Sequence, residues 1–271
     1  MQNFENKVVV ITGAGAGIGR ALALDFAGRG ARPALSDVNL DAAQQTASLC
    51  QARGAEARAY QLDVADRAAV IAHAEQVAAD FGGINIAVNN AGVALVGQLT
   101  DVSWEQLDWI NGININGVLN GSKAFLPYLI ASGDGHLVNM SSLWGLVGVA
   151  LETHYCASKF FVRGLTESLR QEMRYAGHRV GVTAVHPGFV RTDLLRSGKH
   201  SDARAHDNSV GYVERSVRLT PERVAERIVS GIERNRARVL VGPDSYAGDL
   251  LARVLGSKYQ GLLLQVAKKL G

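Results

Sequence analysis

Two cysteines, Cys50 and Cys156, are all that 271 residues contain. They lack the short spacing of a metal site and cannot build a disulfide framework, which fits a reducing compartment. No stretch approaches the 18 or so consecutive apolar residues of a membrane-spanning helix. The opening "MQNFENKVVVITGAG" has no basic segment followed by an apolar run and a cleavage site, so no secretory signal is read there. The expectation is a soluble, cytoplasmic protein. A strong charge excess is missing too. The formal net charge is +3, with 13 basic and 16 acidic residues over 1–190 and 15 and 9 over 191–271. That tilt lacks the clustered patch of a nucleic-acid binder and reads as a solvated arginine-rich helix face. Seven histidines are scattered without a neighbouring Cys or carboxylate at metal spacing, so no metal is expected. Internal repeats, low-complexity tracts and interior linkers are also absent, which favours one domain.

What is present is an alternation of short apolar runs and longer helical patterns. Predicted strands cover 7–11, 31–36, 55–62, 84–90, 136–142, 179–188 and 238–242. Pro33 suits the beginning of the second strand better than its middle. Helical patterns cover 17–30, 41–53, 66–81, two stretches within 101–131, 155–176 and 221–235, with Asp66 as a cap and Pro127 expected to bend the second stretch. Strands alternating with helices of this length specify an α/β fold, a doubly wound parallel sheet covered on both faces.

"TGAGAGIG" (12–19) stands where the first strand ends and a helix begins. Glycines there permit a tight turn and close approach of backbone N–H groups to a phosphate at the helix N-terminus. Gly19 is followed by Arg20-Ala21 rather than Lys-Ser/Thr, which disfavours a P-loop and hence ATP or GTP. Asp37, 18 residues past Gly19 at the end of the second strand, is placed to accept hydrogen bonds from both adenosine ribose hydroxyls. Its carboxylate would repel a 2′-phosphate, and Val38 offers no cation to hold one. Arg20 and Arg32 are near enough in sequence to compensate. The balance favours NAD over NADP.

"YCASK" (155–159) sets Tyr155 and Lys159 four apart, on one face of a helix. Such a pair arises about 0.2 times by chance in a chain of this composition, so by itself it says little. Its company says more. "TGAGAGIG", "LDV" (62–64), "NNAG" (89–92), "NING" (114–117), "NMSS" (139–142), "YCASK" and "HPG" (186–188) before Thr192 follow in the order of the short-chain dehydrogenase/reductase family, which the chain resembles over nearly all of residues 5–242. The resemblance implies a single Rossmann-type domain with seven parallel strands in order 3-2-1-4-5-6-7. It also implies an NAD(H)-dependent oxidoreductase interconverting a secondary alcohol and a ketone, and a homodimer or homotetramer.

The residue roles come with that resemblance. Tyr155 is implied as the acid/base. Lys159 would lower the phenol's pKa, ordinarily near 10, by Coulomb attraction and would bind the nicotinamide ribose. Ser142 would position the substrate oxygen, and Asn114 would hold a water for a proton relay to Lys159. Ser141 is an equally available hydroxyl, set aside because the family's serine stands 13 residues before its tyrosine. Asn111, Asn116 and Asn120 lie close to Asn114 and are separated from it only by the Asn-x-x-Gly pattern. The cofactor set is Gly13, Gly17, Ile18, Gly19, Asp37, Asp63, Val64, Asn90, Ala91, Gly92, Tyr155, Lys159, Pro187, Gly188, Val190 and Thr192. Asn89 is read as a tie between neighbouring strands. Rival readings are an NADP-dependent carbonyl or 3-oxoacyl reductase and a non-catalytic dinucleotide sensor.

The segments expected to face substrate supply Leu95, Trp144, Val149, Phe189 and Leu194 beside Ser142 and Tyr155. This largely apolar set suits a lipophilic small molecule of steroid, retinoid or long-chain type, with Glu152 as a residue that could instead read a polar group. Many of the apolar residues would serve equally well as core. Residues 1–249 read as the catalytic domain, with a substrate loop at about 189–220. Residues 250–271 read as an amphipathic extension carrying Leu251, Leu255, Leu262, Val266 and Leu270. Its own domain or a partner subunit would cover that stripe; contact with a membrane surface is the alternative. Gly256 and Gly261 argue against a single rigid helix there.

Overall fold

The computed structural model describes residues 1, 3–201, 211 and 219–270, the side chains of 266–270 excepted. Most of the expected 189–220 loop, and Val266 and Leu270 of the stripe, therefore lie outside the residues and side chains described. Seven strands form one parallel sheet: β1 (Val8–Thr12), β2 (Arg32–Asp37), β3 (Arg58–Gln61), β4 (Ile86–Asn89), β6 (Gly135–Met140), β7 (Val180–Pro187) and β9 (Arg238–Val241). Their spatial order is β3-β2-β1-β4-β6-β7-β9. Two short strands, β5 (Leu95–Val96) and β8 (Lys199–His200), pair with each other apart from it. Without those two, the order is the 3-2-1-4-5-6-7 expected of the seven.

Both faces of the sheet are dry, as continuous apolar runs require. Along β1, Val9 and Ile11 point toward one face, where Leu22 and Phe26 of α1 (Gly17–Gly28), Ala47 and Cys50 of α2 (Leu40–Gln51) and Ile228 and Ile232 of α7 (Pro221–Glu233) pack. Val8 and Val10 point the other way. They meet Val77 and Phe81 of α3 (Arg67–Phe81), Phe125 and Leu129 of α5 (Val118–Ala131) and Met173 of α6 (Thr153–Tyr175). Each large side chain so buried stabilises the fold by about 1.5–3 kcal/mol. Asp66 caps α3 by accepting from the Ala69 amide. Asn89 ties β4 to β6, its Nδ2 donating to Asn139 Oδ1 at 2.8 Å.

The two stretches within 101–131 are joined more closely than their sequence suggests. α4 (Trp104–Ile110) runs through a π-helical turn, Asn111–Gly117, directly into α5. The irregularity falls there, upstream of Pro127. At the other end of the chain, α8 (Pro243–Leu255) and α9 (Tyr259–Leu270) are separated by a 3-10 turn at Gly256–Lys258. Gly256 breaks the helix with φ +54°, whereas α9 continues through Gly261. Residue 249 lies inside α8, so a boundary at that point cuts a continuous helix. Leu255 and Leu262 are exposed. No described helix is long and apolar enough to cross a membrane.

Candidate active site

The C-terminal ends of β1, β2, β4, β6 and β7 open onto one edge of the sheet. At β1 the chain turns sharply, with Gly13 at φ +64° and Gly17 at φ +52°, in the left-handed region open to glycine. The turn is packed against its neighbours so closely that side chains cannot enter. A Cβ on Gly13 would lie 2.9 Å from Ala91 Cα, and one on Gly19 would lie 2.1 Å from the Gly13 carbonyl oxygen. Asn90 holds the turn in place, donating from Nδ2 to the carbonyls of Thr12 and Gly13 at 2.9 and 3.0 Å. Thr12 Oγ1 accepts from the Asn90 and Ala91 amides, both at 3.1 Å. Helix α1 begins after Ala16, which supplies no side-chain cap. The amides of its first turn are thus left to an outside acceptor, the arrangement that suits an anion such as a diphosphate.

Asp37, at the end of β2, faces the same turn. Its Oδ2 accepts from the Gly15 amide at 2.9 Å and its Oδ1 from the Asn39 amide at 3.0 Å. Neither nearby arginine is directed at this carboxylate. Arg20 donates to the Gly15 carbonyl and to Thr46 Oγ1, and Arg32, at the far end of β2, pairs with Glu56 at 2.7 Å. Asp63 is exposed, with Oδ1 accepting from the Ala65 amide at 2.9 Å. Val64 is buried, and Asn120 Nδ2 donates to its carbonyl at 3.1 Å. Thr192 reaches the opposite flank of the turn, its Cγ2 3.2 Å from where a Cβ on Gly17 would stand. Ile18 and Val190 are half-buried against the core, and Pro187 is buried as the last residue of β7.

The four expected catalytic residues converge across the same edge. The two serines ending β6 have different partners. Ser141 Oγ donates to the Lys159 carbonyl at 2.8 Å, so it fastens β6 to α6. Ser142 Oγ accepts from the Trp144 amide at 3.2 Å and is hydrogen-bonded to the Tyr155 phenol. His186 fixes the Ser142 backbone, Nδ1 to carbonyl oxygen at 2.9 Å. Lys159 is buried, with Nζ donating to the Met140 carbonyl at 3.2 Å and lying 5.5 Å from the centre of the Tyr155 ring. Asn114 sits on the π-helical turn. Its Oδ1 accepts from the Val93 amide at 2.9 Å, and its Nδ2 donates to the Val93 carbonyl at 2.9 Å and to Ser158 Oγ at 3.2 Å. The Asn114 and Lys159 side chains meet at Gly92, each 3.3 Å from where a Cβ there would stand.

Burial dominates the electrostatics. It lowers the Lys159 ammonium to about 8, because a buried cation loses hydration. It also pushes the Tyr155 phenol up, with the neighbouring Glu152 carboxyl adding to the rise and the Ser142 hydrogen bond opposing it. Lys159 Nζ lies over the Tyr155 ring and is directed at the Met140 carbonyl. Glu152 is raised to about 7 by burial, against a hydrogen bond from Trp144. Cys156 is buried, and burial pushes its thiol up to about 12.

The apolar residues expected around substrate divide. Leu95 is buried and packs with Leu107, Ile110 and Tyr155, so it is core that backs the tyrosine. Trp144 and Phe189 are half-buried and meet edge to face at 5.7 Å, while Val149 and Leu194 are half-buried nearby in sequence. Asp244 was not among the sequence candidates. From the first turn of α8, its Oδ2 accepts from the Phe189 amide at 2.7 Å, and its carboxylate fills the space a Cβ on Gly188 would need. No local pattern links residues 55 positions apart. Tyr259 of α9 likewise reaches the segment between Ser142 and Tyr155, its hydroxyl accepting from the Gly148 amide at 3.0 Å.

This geometry is matched by known proteins. The family model described as short chain dehydrogenase matches residues 7–203. SadH from Mycobacterium tuberculosis (strain ATCC 25618 / H37Rv) is 48% identical over 264 residues, spanning 97% of this chain and 96% of the relative. The C alpha-dehydrogenase of Sphingobium sp. (strain NBRC 103272 / SYK-6) is 33% identical over 261 residues, 92% of this chain and 84% of the relative. Among solved structures, a short chain dehydrogenase/reductase from Burkholderia phymatum in complex with NAD superposes with a TM-score of 0.89 at 32% identity, covering 96% of this chain and 97% of that one. The chain belongs to the short-chain dehydrogenase family of oxidoreductases.

Proposed function

We propose that the protein is an NAD-dependent dehydrogenase that interconverts a lipophilic secondary alcohol and its ketone. The observation that carries this reading is the meeting of Tyr155 with Ser142 and with Lys159, whose Nζ stands with Asn114 at Gly92. The turn fits a dinucleotide: its glycines leave no room for side chains, and the first turn of α1 has no side-chain cap. Asp37 supports NAD over NADP, since its carboxylate would repel a 2′-phosphate and neither Arg20, which donates to the Gly15 carbonyl and Thr46, nor Arg32, paired with Glu56, is directed at it. The NAD in the related Burkholderia structure and the dehydrogenase named in Sphingobium support the same reading.

A nicotinamide dinucleotide held there would supply the acceptor for the carbinol hydride and, in its oxidised form, a positive charge. Tyr155 takes the hydroxyl proton, and must first lose its own. Burial alone opposes that loss, so the phenolate depends on added positive charge and on the Ser142 hydrogen bond. Lys159 supplies an ammonium within reach of the ring and a donor for the nicotinamide ribose. Ser142 holds the substrate oxygen against the phenol. Asn114 fixes Val93 and stands with Lys159 at Gly92, where it would hold a relay water. Gly13, Gly17, Ile18 and Gly19 cradle the diphosphate, Asp63 and Val64 face the adenine, and Pro187, Gly188, Val190 and Thr192 border the carboxamide side. Trp144, Val149, Phe189 and Leu194 form the apolar wall, and the working unit is a homo-oligomer.

Tyr155→Phe tests the reading. NADH formation from secondary alcohols should fall by about 10²–10⁴-fold, the contribution of positioned acid/base catalysis, while NAD affinity stays within a few-fold. Turnover that survives the substitution, or a wild-type kcat/KM that favours NADP, would overturn the assignment.

A further inference from the structure

The sheet edge opposite the candidate active site holds a recess that the dehydrogenase reading does not use. A cavity of about 430 Å³ opens at the N-terminal ends of β6 and β7, where Gly135, Val180 and Gly181 line it. The eight residues of β7 span roughly 23 Å, so this recess and the glycine turn lie at opposite ends of the strands. Its walls are cationic. Arg170 and Arg174 of α6 and Arg179 before β7 line it, against one carboxylate, Asp134, which Lys7 already meets at 3.9 Å. Arg170 is engaged: Nη1 donates to the Val182 carbonyl at 2.7 Å and to Asn235 Oδ1 at 3.0 Å, and Nη2 to the Asn235 carbonyl at 2.9 Å. It thereby holds Asn235, another lining residue, at φ +47°, which Asn tolerates better than most residues. Asn235 Nδ2 and the exposed guanidinium groups of Arg174 and Arg179 are left without an acceptor among the described residues. Arg174, in the last turn of α6, also suits that helix's carbonyl end, but Arg179 lies outside any helix and has no such role.

His136 lines the same cavity and supplies the opposite kind of group. It is 1% exposed, and its Nε2 lies 2.8 Å from Thr183 Oγ1, whose own proton goes to the Arg236 carbonyl at 2.6 Å. The ring therefore donates from Nε2. Burial lowers its pKa to about 3, so near neutral pH it keeps a lone pair on Nδ1, which has no hydrogen bond among the described residues. A Cβ on Gly181 would stand 2.3 Å from that Nδ1 and 2.9 Å from Asn235 Oδ1, so the glycine keeps the space between them clear. We propose that this recess binds a small, free phosphate monoester that also carries a hydroxyl group. Arg174, Arg179 and the Asn235 amide donate to the phosphate oxygens, which the planar fork of arginine suits. The bound anion offsets the mutual repulsion of three guanidinium groups around one cavity. His136 Nδ1 accepts from the hydroxyl. The site stands apart from the dehydrogenase reading and does not depend on it.

Isothermal titration calorimetry of the full chain at constant ionic strength tests this with glycerol 3-phosphate, methyl phosphate and glycerol. Glycerol 3-phosphate should bind saturably. Methyl phosphate should bind at least about threefold more weakly for want of the hydroxyl, and glycerol should give no binding. In Arg174→Gln/Arg179→Gln the affinity for glycerol 3-phosphate should fall at least about tenfold, the effect of losing charge-assisted hydrogen bonds. Both arginines are exposed, so circular dichroism should report an unchanged fold. Asn235→Asp keeps the Oδ1 held by Arg170 and tolerates the positive φ, but exchanges a donor for a negative charge, and should weaken the same binding by about tenfold. Absence of glycerol 3-phosphate binding at millimolar concentrations would overturn the inference. So would binding that is unchanged in the double arginine variant, which would put the anion elsewhere, the glycine turn included. Equal affinity for methyl phosphate and glycerol 3-phosphate would overturn it as well.

Discussion

Lowering the pH from 7 to 5 should destabilise this fold by an amount that three histidines largely determine. His73, His136 and His186 are all buried and are held down, chiefly by burial, to about 4, about 3 and about 4 from an ordinary 6.5. The sign follows from where protons bind. Above pH 6.5 the imidazoles are neutral in folded and unfolded chains alike. Below it the unfolded chain takes up protons that the folded one cannot, so stability falls until pH reaches the folded values near 4 or 3. Between pH 7 and 5 each imidazole accounts for a little under about 2 kcal/mol, together roughly 5 kcal/mol. Glu152 works the opposite way: raised to about 7 from 4.5, it takes up its proton in the fold first and offsets about 2 kcal/mol of the loss. A net loss of roughly 3 kcal/mol remains, set against a typical total of 5–15 kcal/mol. Other carboxylates, with unfolded values near 4, have scarcely begun to titrate in this window. Urea unfolding followed by circular dichroism at pH 7, 6 and 5 reads the loss directly. His73 allows a cleaner second measurement, because its Nε2 is buried without a hydrogen-bond partner among the described residues and its ring packs at steep angles against those of Tyr60 and Phe125. His73→Leu should remove about 2 kcal/mol of the difference between pH 7 and 5 without taking away a bond made by Nε2. A stability that is flat across the window, or unchanged in its slope by His73→Leu, would refute the reasoning.

Two further substitutions probe the site through its backbone. Gly19→Ala places a methyl 2.1 Å from the Gly13 carbonyl and 2.7 Å from Asn90 Nδ2, so the glycine turn must shift; a stability loss of about 1–3 kcal/mol and at least tenfold weaker NAD binding by calorimetry are expected. Asp244→Ala leaves the Phe189 amide without its acceptor, which should cost about 1.5–3 kcal/mol in urea unfolding and raise the KM for alcohol more than that for NAD.

Local patterns made the seven sheet strands, their helices and the glycine turn legible, because buried parallel strands and turns with positive φ admit few residue types. The ordered motifs likewise brought Ser142, Tyr155 and Lys159 together before any coordinates did. Other parts of the site were hidden for a physical reason. Asn114 was singled out by its motif, but that its amide binds both backbone groups of Val93 emerges only when the π-helical turn packs against the segment after β4. The direction of Lys159 Nζ likewise depends on where folding puts the Met140 carbonyl. Leu95 reads equally as pocket or core, and only its packing behind Tyr155 decides between them.

The sequence by itself determined the class of fold and the family, since these depend on period, spacing and residue chemistry along one stretch of chain. Tertiary structure alone decided that Ser141 is fastened to the Lys159 carbonyl, that Asp244 clamps the Phe189 backbone from 55 residues away, and that Glu152 is a half-buried carboxyl without an ion-pair partner among the described residues. Those are properties of neighbours brought together by folding, and burial, which sets the charge of each group, exists only once they have met.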